Sequence, residues 1–414
     1  LVECIEQRHL FNRNNKWFII SLTINKNDEL RRFFMSKNKI NNRKCDSGAF
    51  NCKKQIKRLY ASSVLGELSL TGAWVAILAA RGFSLVEIGF VEMVFHITSL
   101  LFEIPSGVLA DVFGRKNMLI VSTIMQMLGC LVMIVSNNLL LVCVSIAFFA
   151  ISYNFASGTG DALAYDSLKH VNRQEEYAKY ESNQLVIYRL CEGISTLCAG
   201  LALLMGYRLA YSTSLLTGMI QFIVLASLTE VGKKEERKHQ QVLSSMKSEM
   251  ITCFMESLTF LKSAKKAIAL MFGNSFVGAI DILLLFFLQA KLPETGIPDM
   301  LLGVALFVMQ LGGVIGARVI LRCKKMSYWT IFAVAMMLVI LGVILEHSGV
   351  ALVMTGSGFI TALSDDALQV QTNTKLQDMF PSEQRATLIS MESFTFSVIM
   401  IVLSPLAGIL FSWW

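Results

Sequence analysis

Blocks of about twenty apolar side chains recur from Leu59 to the end of the chain, separated by short polar stretches. A helix needs roughly 20 apolar residues to cross a bilayer core about 30 Å thick. Segments 59–80, 85–107, 118–136, 139–158, 182–205, 209–229, 265–289, 300–320, 327–346, 349–367 and 385–411 match that length, so the pattern predicts an all-α membrane protein with eleven spans. The longest polar break, 230–264, divides six spans from five. Within it Val242, Met246, Met250, Phe254, Leu258 and Leu261 return at helical spacing beside Lys and Glu. That stripe predicts an amphipathic helix on the membrane surface rather than a loose linker. The expected organisation is an N-terminal segment, 1–58, a six-helix bundle, 59–229, the linker, 230–264, and a second bundle, 265–414, with five helices. Residues 1–34 read as a leader or upstream sequence, since Met35 is the more natural start.

Composition narrows the class. Hydrophobic residues make up 54% of the 414 positions and charged residues 16%, against roughly 25% charged in an ordinary soluble domain. The net charge of +7 sits in short clusters between apolar blocks, which points away from nucleic acid. With a cytoplasmic N-terminus, the inside loops carry Arg115 and Lys116, Lys169, Arg173 and Lys179, the 233–266 stretch, Arg322 to Lys325, and Lys375 with Arg385; the outside loops hold Arg81, Arg208 and Lys291. This asymmetry satisfies the positive-inside rule and predicts a multi-pass protein of the cell membrane with its N-terminus inside.

Nine cysteines are scattered without a C-x-x-C pair, and the nearest approach to ligand spacing, Cys45 with Cys52, makes a poor metal site. No metal or cofactor is expected. There is no G-x-x-x-x-G-K-[ST] loop for ATP, no G-x-S-x-G elbow and no H-E-x-x-H pair, so neither ATP hydrolysis nor an intramembrane hydrolase is expected.

After the second span the chain reads Gly107-Val108-Leu109-Ala110-Asp111-Val112-Phe113-Gly114-Arg115-Lys116. This resembles the loop between helices 2 and 3 of the major facilitator superfamily, G-x-L-A-D-R-x-G-R-K, and departs from it at Val112, where the pattern has a basic residue. SGTGDALAYDSLK at 157–169 and PSEQRATLIS at 381–390 are similar to cytoplasmic segments of bacterial members. The resemblance covers the chain from about Leu59 to its end. It implies two pseudo-symmetric six-helix bundles, with eleven of twelve helices present and a twelfth to follow. It also implies a cytoplasmic gate in which Gly107, Asp111, Gly114, Arg115 and Lys116 clasp the two halves when the outer side is open. Asp161-Ala162-Leu163 at the end of span 4 and Asp366-Ala367-Leu368 at the end of span 10 echo one another six spans apart, as parallel repeats would.

A charge at mid-bilayer costs about 2.5–3.5 kcal/mol on insertion scales, so each one needs a partner, a cavity or a function. Glu92, His96, Ser99 and Glu103 share one face of span 2, and Arg189 with Glu192 share one face of span 5. Glu67 with Thr71 and Trp74 marks span 1, Asn154 with Asp161 span 4, and Asn274 with Asp281 span 7. The resemblance places helices 1, 4, 7 and 10 around a central cavity, which makes Glu67 and Asp281 the leading coupling carboxylates. The candidate substrate and proton-coupling set is therefore Glu67, Trp74, Glu92, His96, Asn154, Arg189, Glu192, Asn274 and Asp281. The alternatives for these groups are interhelical hydrogen bonds, and for Arg189 and Glu192 mutual neutralisation. The expected function is secondary transport of a small molecule by alternating access, driven by protons or another cation, in the direction of efflux. Acidic residues and a lining expected to be rich in Phe and Met favour a lipophilic or cationic solute. An uptake symporter and a non-transporting sensor or scaffold are the competing readings. A monomer in the lipid bilayer is the expected assembly.

Overall fold

The computed structural model describes residues 50–231, 265–323, 326–379 and 385–413; the side chains of 104, 108, 111, 112, 377, 378 and 385–390 lie outside this description. The linker helix expected at 230–264 and the leader expected at 1–34 also fall outside the described residues.

Fourteen α-helices among the described residues form eleven rods. The first six rods are α1 Cys52–Glu67 with α2 Trp74–Ala80, α3 Leu85–Phe113, α4 Arg115–Val135, α5 Leu139–Ala156 with α6 Thr159–His170, α7 Tyr177–Leu197 with α8 Ala199–Met205, and α9 Tyr207–Ala226. The second half holds α10 Lys265–Lys291, α11 Asp299–Val319, α12 Tyr328–Glu346, α13 Ala351–Met379 and α14 Arg385–Ser412. Among the described residues eight helices are long and apolar enough to cross a membrane, and α7 with α8, bent by 48°, makes a ninth. The first rod is interrupted, and α13 carries Asp365, Asp366 and Gln369 along its length. Outward-facing Leu140, Leu352, Ile223 and Met337 are more than 60% exposed, an apolar exterior that suits lipid and not water.

Local chemistry sets the helix starts. Ser84 and Glu87 close a capping box at α3, while Asn51, Asn138 and Ser327 cap α1, α5 and α12 with their side chains. Gly114 and Gly206, at φ +92° and +80°, make the tight reversals between antiparallel helices that a side chain would strain. α3 runs through Gly107 to Phe113, so of the two glycines of the 107–116 motif only Gly114 makes the turn.

The halves meet through α3 with α14, α7 and α8 with α11, and α2 with α10. Advancing six rods maps the second rod onto the eighth and the fifth onto the eleventh, so the first two of these contacts exchange with one another. That is the signature of a duplicated fold. Gly89 and Gly303 are each the fifth residue of their helix, and each touches the other half's backbone. Leu163 and Leu368, from the two Asp-Ala-Leu echoes, are both fully buried.

One end of the bundle carries Arg115, Lys116, Lys169, Arg173 and Lys375; we call it the basic end. The other, far end carries the starts of α3 and α11 and the end of α14. A shared apolar cluster there joins Leu78 and Ile88 of the first half to Phe286, Phe287, Phe396 and Met400 of the second. Arg81 braces the same end, donating to the Ser136 carbonyl at 2.7 Å and lying 4.0 Å from the Tyr207 ring centroid.

Candidate functional site

The first rod breaks where its sequence, Leu68-Ser69-Leu70-Thr71-Gly72-Ala73, weakens helical propensity with hydroxyls and a glycine. Hydroxyls take over the backbone bonds that the break frees. Ser69 Oγ accepts from the Thr71 N–H at 3.0 Å, and Ser195 Oγ of α7 accepts from the Ser69 N–H at 3.1 Å and donates to the Glu67 carbonyl at 3.3 Å. Irregular backbone within a membrane bundle is tolerated where it lines a cavity. Here it does so.

That cavity has a volume of 440 Å³ and lies wholly within the first half. Glu67 and Trp74 contribute from the broken rod, Glu92 from α3, Gln126 from α4, Tyr153 and Asp161 from the fourth rod, Gln184 from α7 and Gln221 from α9. At the far end it stops at Trp74, whose ring meets Phe286 edge-on at 5.4 Å. Towards the basic end it reaches Ala156, Ser157 and Gly158, all exposed. Gln184 donates to Ser63 and Tyr180, each at 2.8 Å, and Gln221 donates to the Ser62 carbonyl at 3.1 Å. The amide oxygens of both glutamines are buried without a partner. With the carboxylates of Glu67, Glu92 and Asp161 in the same lining, the walls are rich in acceptors.

Of the nine candidate residues, the cavity brings together Glu67, Trp74 and Glu92. His96 stands behind Glu92, its Nε2 2.9 Å from Glu92 Oε1, and the pair is 0% and 2% exposed. Its ring packs edge-on against Phe396 of the second half at 5.7 Å. Asn154 also lies behind the wall, donating to Ser99 Oγ at 3.1 Å and to the Ala150 carbonyl at 2.8 Å. The polar stripe on α3 is thus real as far as Ser99, while Glu103 is only partly buried. Arg189 and Glu192 pair with each other at 3.3 Å on α7, outside the lining, with the Arg189 side chain 47% exposed. Asn274 donates to Glu392 of α14 at 3.2 Å. Asn274 and Asp281 belong to the second half and do not line this cavity.

The residues that sequence reasoning missed are mainly neutral: Gln126, Gln184, Gln221 and Tyr153. Isolated glutamines inside apolar blocks were the available signal; the candidate set took in two asparagines and a tryptophan but no glutamine. Nor is the lining rich in Met, as expected; it holds no methionine, with Phe95 and Phe149 its phenylalanines.

At the basic end, Arg115 donates to the Ala162 carbonyl at 2.7 Å and pairs with Asp166. Glu230 accepts from the Arg115 and Lys116 N–H groups at 3.0 and 2.9 Å, capping α4. All of these partners belong to the first half, so the clasp between halves implied by the resemblance is not made by the described side chains; that of Asp111 lies outside them. Glu230→Ala removes the α4 cap and is expected to cost about 1 kcal/mol, read as a lowered thermal midpoint, with Glu230→Gln intermediate.

Residues 59–371 match the family model described as Major Facilitator Superfamily. An uncharacterized MFS-type transporter of Bacillus subtilis (strain 168), YxaM, is 21% identical over 347 residues, covering 81% of this chain and 84% of the relative. Among solved structures, the nucleoside transporter NupG superposes with a TM-score of 0.66 at 12% identity, over 87% of this chain and 91% of its own. A D-xylose-proton symporter superposes with a TM-score of 0.59 at 10% identity, over 86% and 88%.

Proposed function

The chain belongs to the major facilitator superfamily of secondary transporters, and on that premise we propose that it exchanges protons for a small, polar, positively charged solute by alternating access. The observation that carries this reading is the acidic and polar lining of the cavity: Glu67, Glu92 and Asp161, with Gln126, Gln184 and Gln221, surround a space of 440 Å³. Such walls favour a solute that donates hydrogen bonds and carries a cation. A carboxylate can hold a proton or neutralise that cation, and the two compete for it. Competition for one site is the logic of antiport, and with an inward proton gradient it drives efflux. The basic end is the cytoplasmic side by its Lys and Arg content, in the cell membrane, so closure at the far end supports an inward-facing state. Lipid and a monomer complete the assembly.

The test is a proteoliposome carrying an imposed pH gradient and screened against amines and neutral polar solutes. Gradient-driven accumulation of an amine is the expected result, reduced at least about tenfold by Glu67→Gln, while Asp281→Asn retains most of it. Uptake by symport is the second reading, favoured by the many hydroxyls of the lining, and accumulation of a neutral solute together with protons would establish it instead. A protein that moves neither solute nor protons under any gradient is a sensor or scaffold, and both transport readings then fall.

A further inference from the structure

A second cavity, of 220 Å³, lies at the far end of the second half, remote from the transport cavity. Lys291, Glu294, Thr295, Glu346, His347 and Phe411 contribute to its wall. Glu346 is the last residue of α12 and is 3% exposed, yet neither of its carboxylate oxygens has a hydrogen-bond partner. A buried carboxylate in that condition requires a proton or a cation. The nearby cation, Lys291, acts on Glu346 through space only: its Nζ lies 3.1 Å from Glu294, and it bonds neither oxygen of Glu346. His347 does not answer it either. Its Nδ1 is 2.7 Å from the Val343 carbonyl, and its ring is stacked nearly parallel on Phe411, with centroids 5.6 Å apart.

We propose that this cavity binds a small organic ammonium ion, with Glu346 as its counter-charge and the His347–Phe411 stack as the wall against which its carbon part lies. The N–H groups of an ammonium satisfy the two lone carboxylate oxygens, and its charge suits an aromatic face. A metal ion is a poorer fit, because a hard cation needs several oxygen ligands and the described residues include no cluster of three candidate ligands. The site is independent of the transport reading, which rests on other carboxylates.

The experiment titrates benzylamine, and benzyl alcohol as its neutral counterpart, into the full chain in nanodiscs by calorimetry. It uses a Glu67→Gln/Glu92→Gln background, so that the transport cavity offers no carboxylate from those two positions. Saturable binding of benzylamine, with benzyl alcohol failing to compete, is the expected result. Adding Glu346→Gln should weaken binding at least about tenfold, and adding Phe411→Leu about threefold. Phe411→Leu leaves the carboxylate in place and decides the matter if Glu346→Gln does not fold. The proposal is overturned if the background protein binds no benzylamine, if benzyl alcohol binds as well, or if either added substitution leaves affinity unchanged.

Discussion

Replacing Gly200 or Gly303 by alanine is expected to open the far end of the bundle without unfolding either half. A Cβ on Gly200 would stand 2.0 Å from the Asp299 carbonyl oxygen, and one on Gly303 would stand 2.3 Å from that of Leu197. Across the other crossing, a Cβ on Gly89 would stand 2.3 Å from the Ser404 oxygen and one on Gly408 2.5 Å from that of Leu85. These four contacts join one half to the other, so a methyl group there penalises only the state in which the far end is closed. Overpacking costs about 1–3 kcal/mol, which shifts a two-state population about 5- to 150-fold. A Cβ on Gly312 or Gly316 would be equally tight, 2.1 and 2.0 Å from the Phe359 and Leu363 oxygens, but those contacts lie between α11 and α13 inside the second half. Alanine at Gly312 or Gly316 should therefore lower the thermal midpoint in every state and leave the gate alone. Spin labels at Leu140→Cys and Leu352→Cys, both at the far end and 72% and 82% exposed, report the distance between halves in a background cleared of native cysteines. The idea fails if Gly200→Ala leaves that distance distribution unchanged while destabilising the protein as much as Gly312→Ala does.

The membrane fold was legible because bilayer thickness leaves a length signal that no tertiary contact can erase. Each of the eleven apolar blocks falls on a helical rod, eight or nine of the rods among the described residues are long and apolar enough to span, and the boundaries that moved did so for local reasons. The first rod starts at Cys52 because Asn51 caps it there, accepting from the Lys54 N–H at 3.0 Å. The third block became α4 from Arg115 because Glu230, remote in sequence, supplies its cap. What the pattern could not show is discontinuity. Leu68 to Ala73 is apolar enough to read as the middle of a span, and its break depends on Ser195 and Ser214 arriving from other rods to bond Ser69. The glycine crossings were hidden for the same reason, since a glycine's role depends on the backbone it meets.

For the site, helical spacing found pairs on one helix and missed pairs between helices. Glu92 and His96 are four residues apart, and the bond between them was therefore foreseeable. Asn274 with Glu392, and Glu67 with the glutamines of α7 and α9, are brought together by topology alone. A similar limit applies to Glu346. At the end of an apolar block it reads as an ordinary helix-end charge, and only its burial behind α10 and α14 sets it apart.

The Glu92–His96 pair should separate coupling from stability in three substitutions. Both side chains are buried, and one hydrogen bond of 2.9 Å joins them. His96→Ala leaves a carboxylate deep in the bundle without its donor, and breaking a buried pair in this way costs about 3–5 kcal/mol. Its expected signature is a large fall in the thermal midpoint. Glu92→Gln keeps an acceptor for the His96 N–H but cannot carry a proton. The protein should stay near wild-type stability and exchange solute down its gradient, with pH-driven accumulation reduced by about two orders of magnitude. Glu92→Leu with His96→Leu replaces the pair by apolar groups, a change that is often neutral or stabilising in other proteins; it should recover much of the stability lost in His96→Ala without recovering accumulation. Non-additivity between the single and double substitutions is what a directly coupled pair requires. Thermal unfolding in detergent and flux in proteoliposomes read the two properties separately. If Glu92→Gln still accumulates solute against its gradient, the proton is carried elsewhere in the cavity, and Glu67 becomes its carrier.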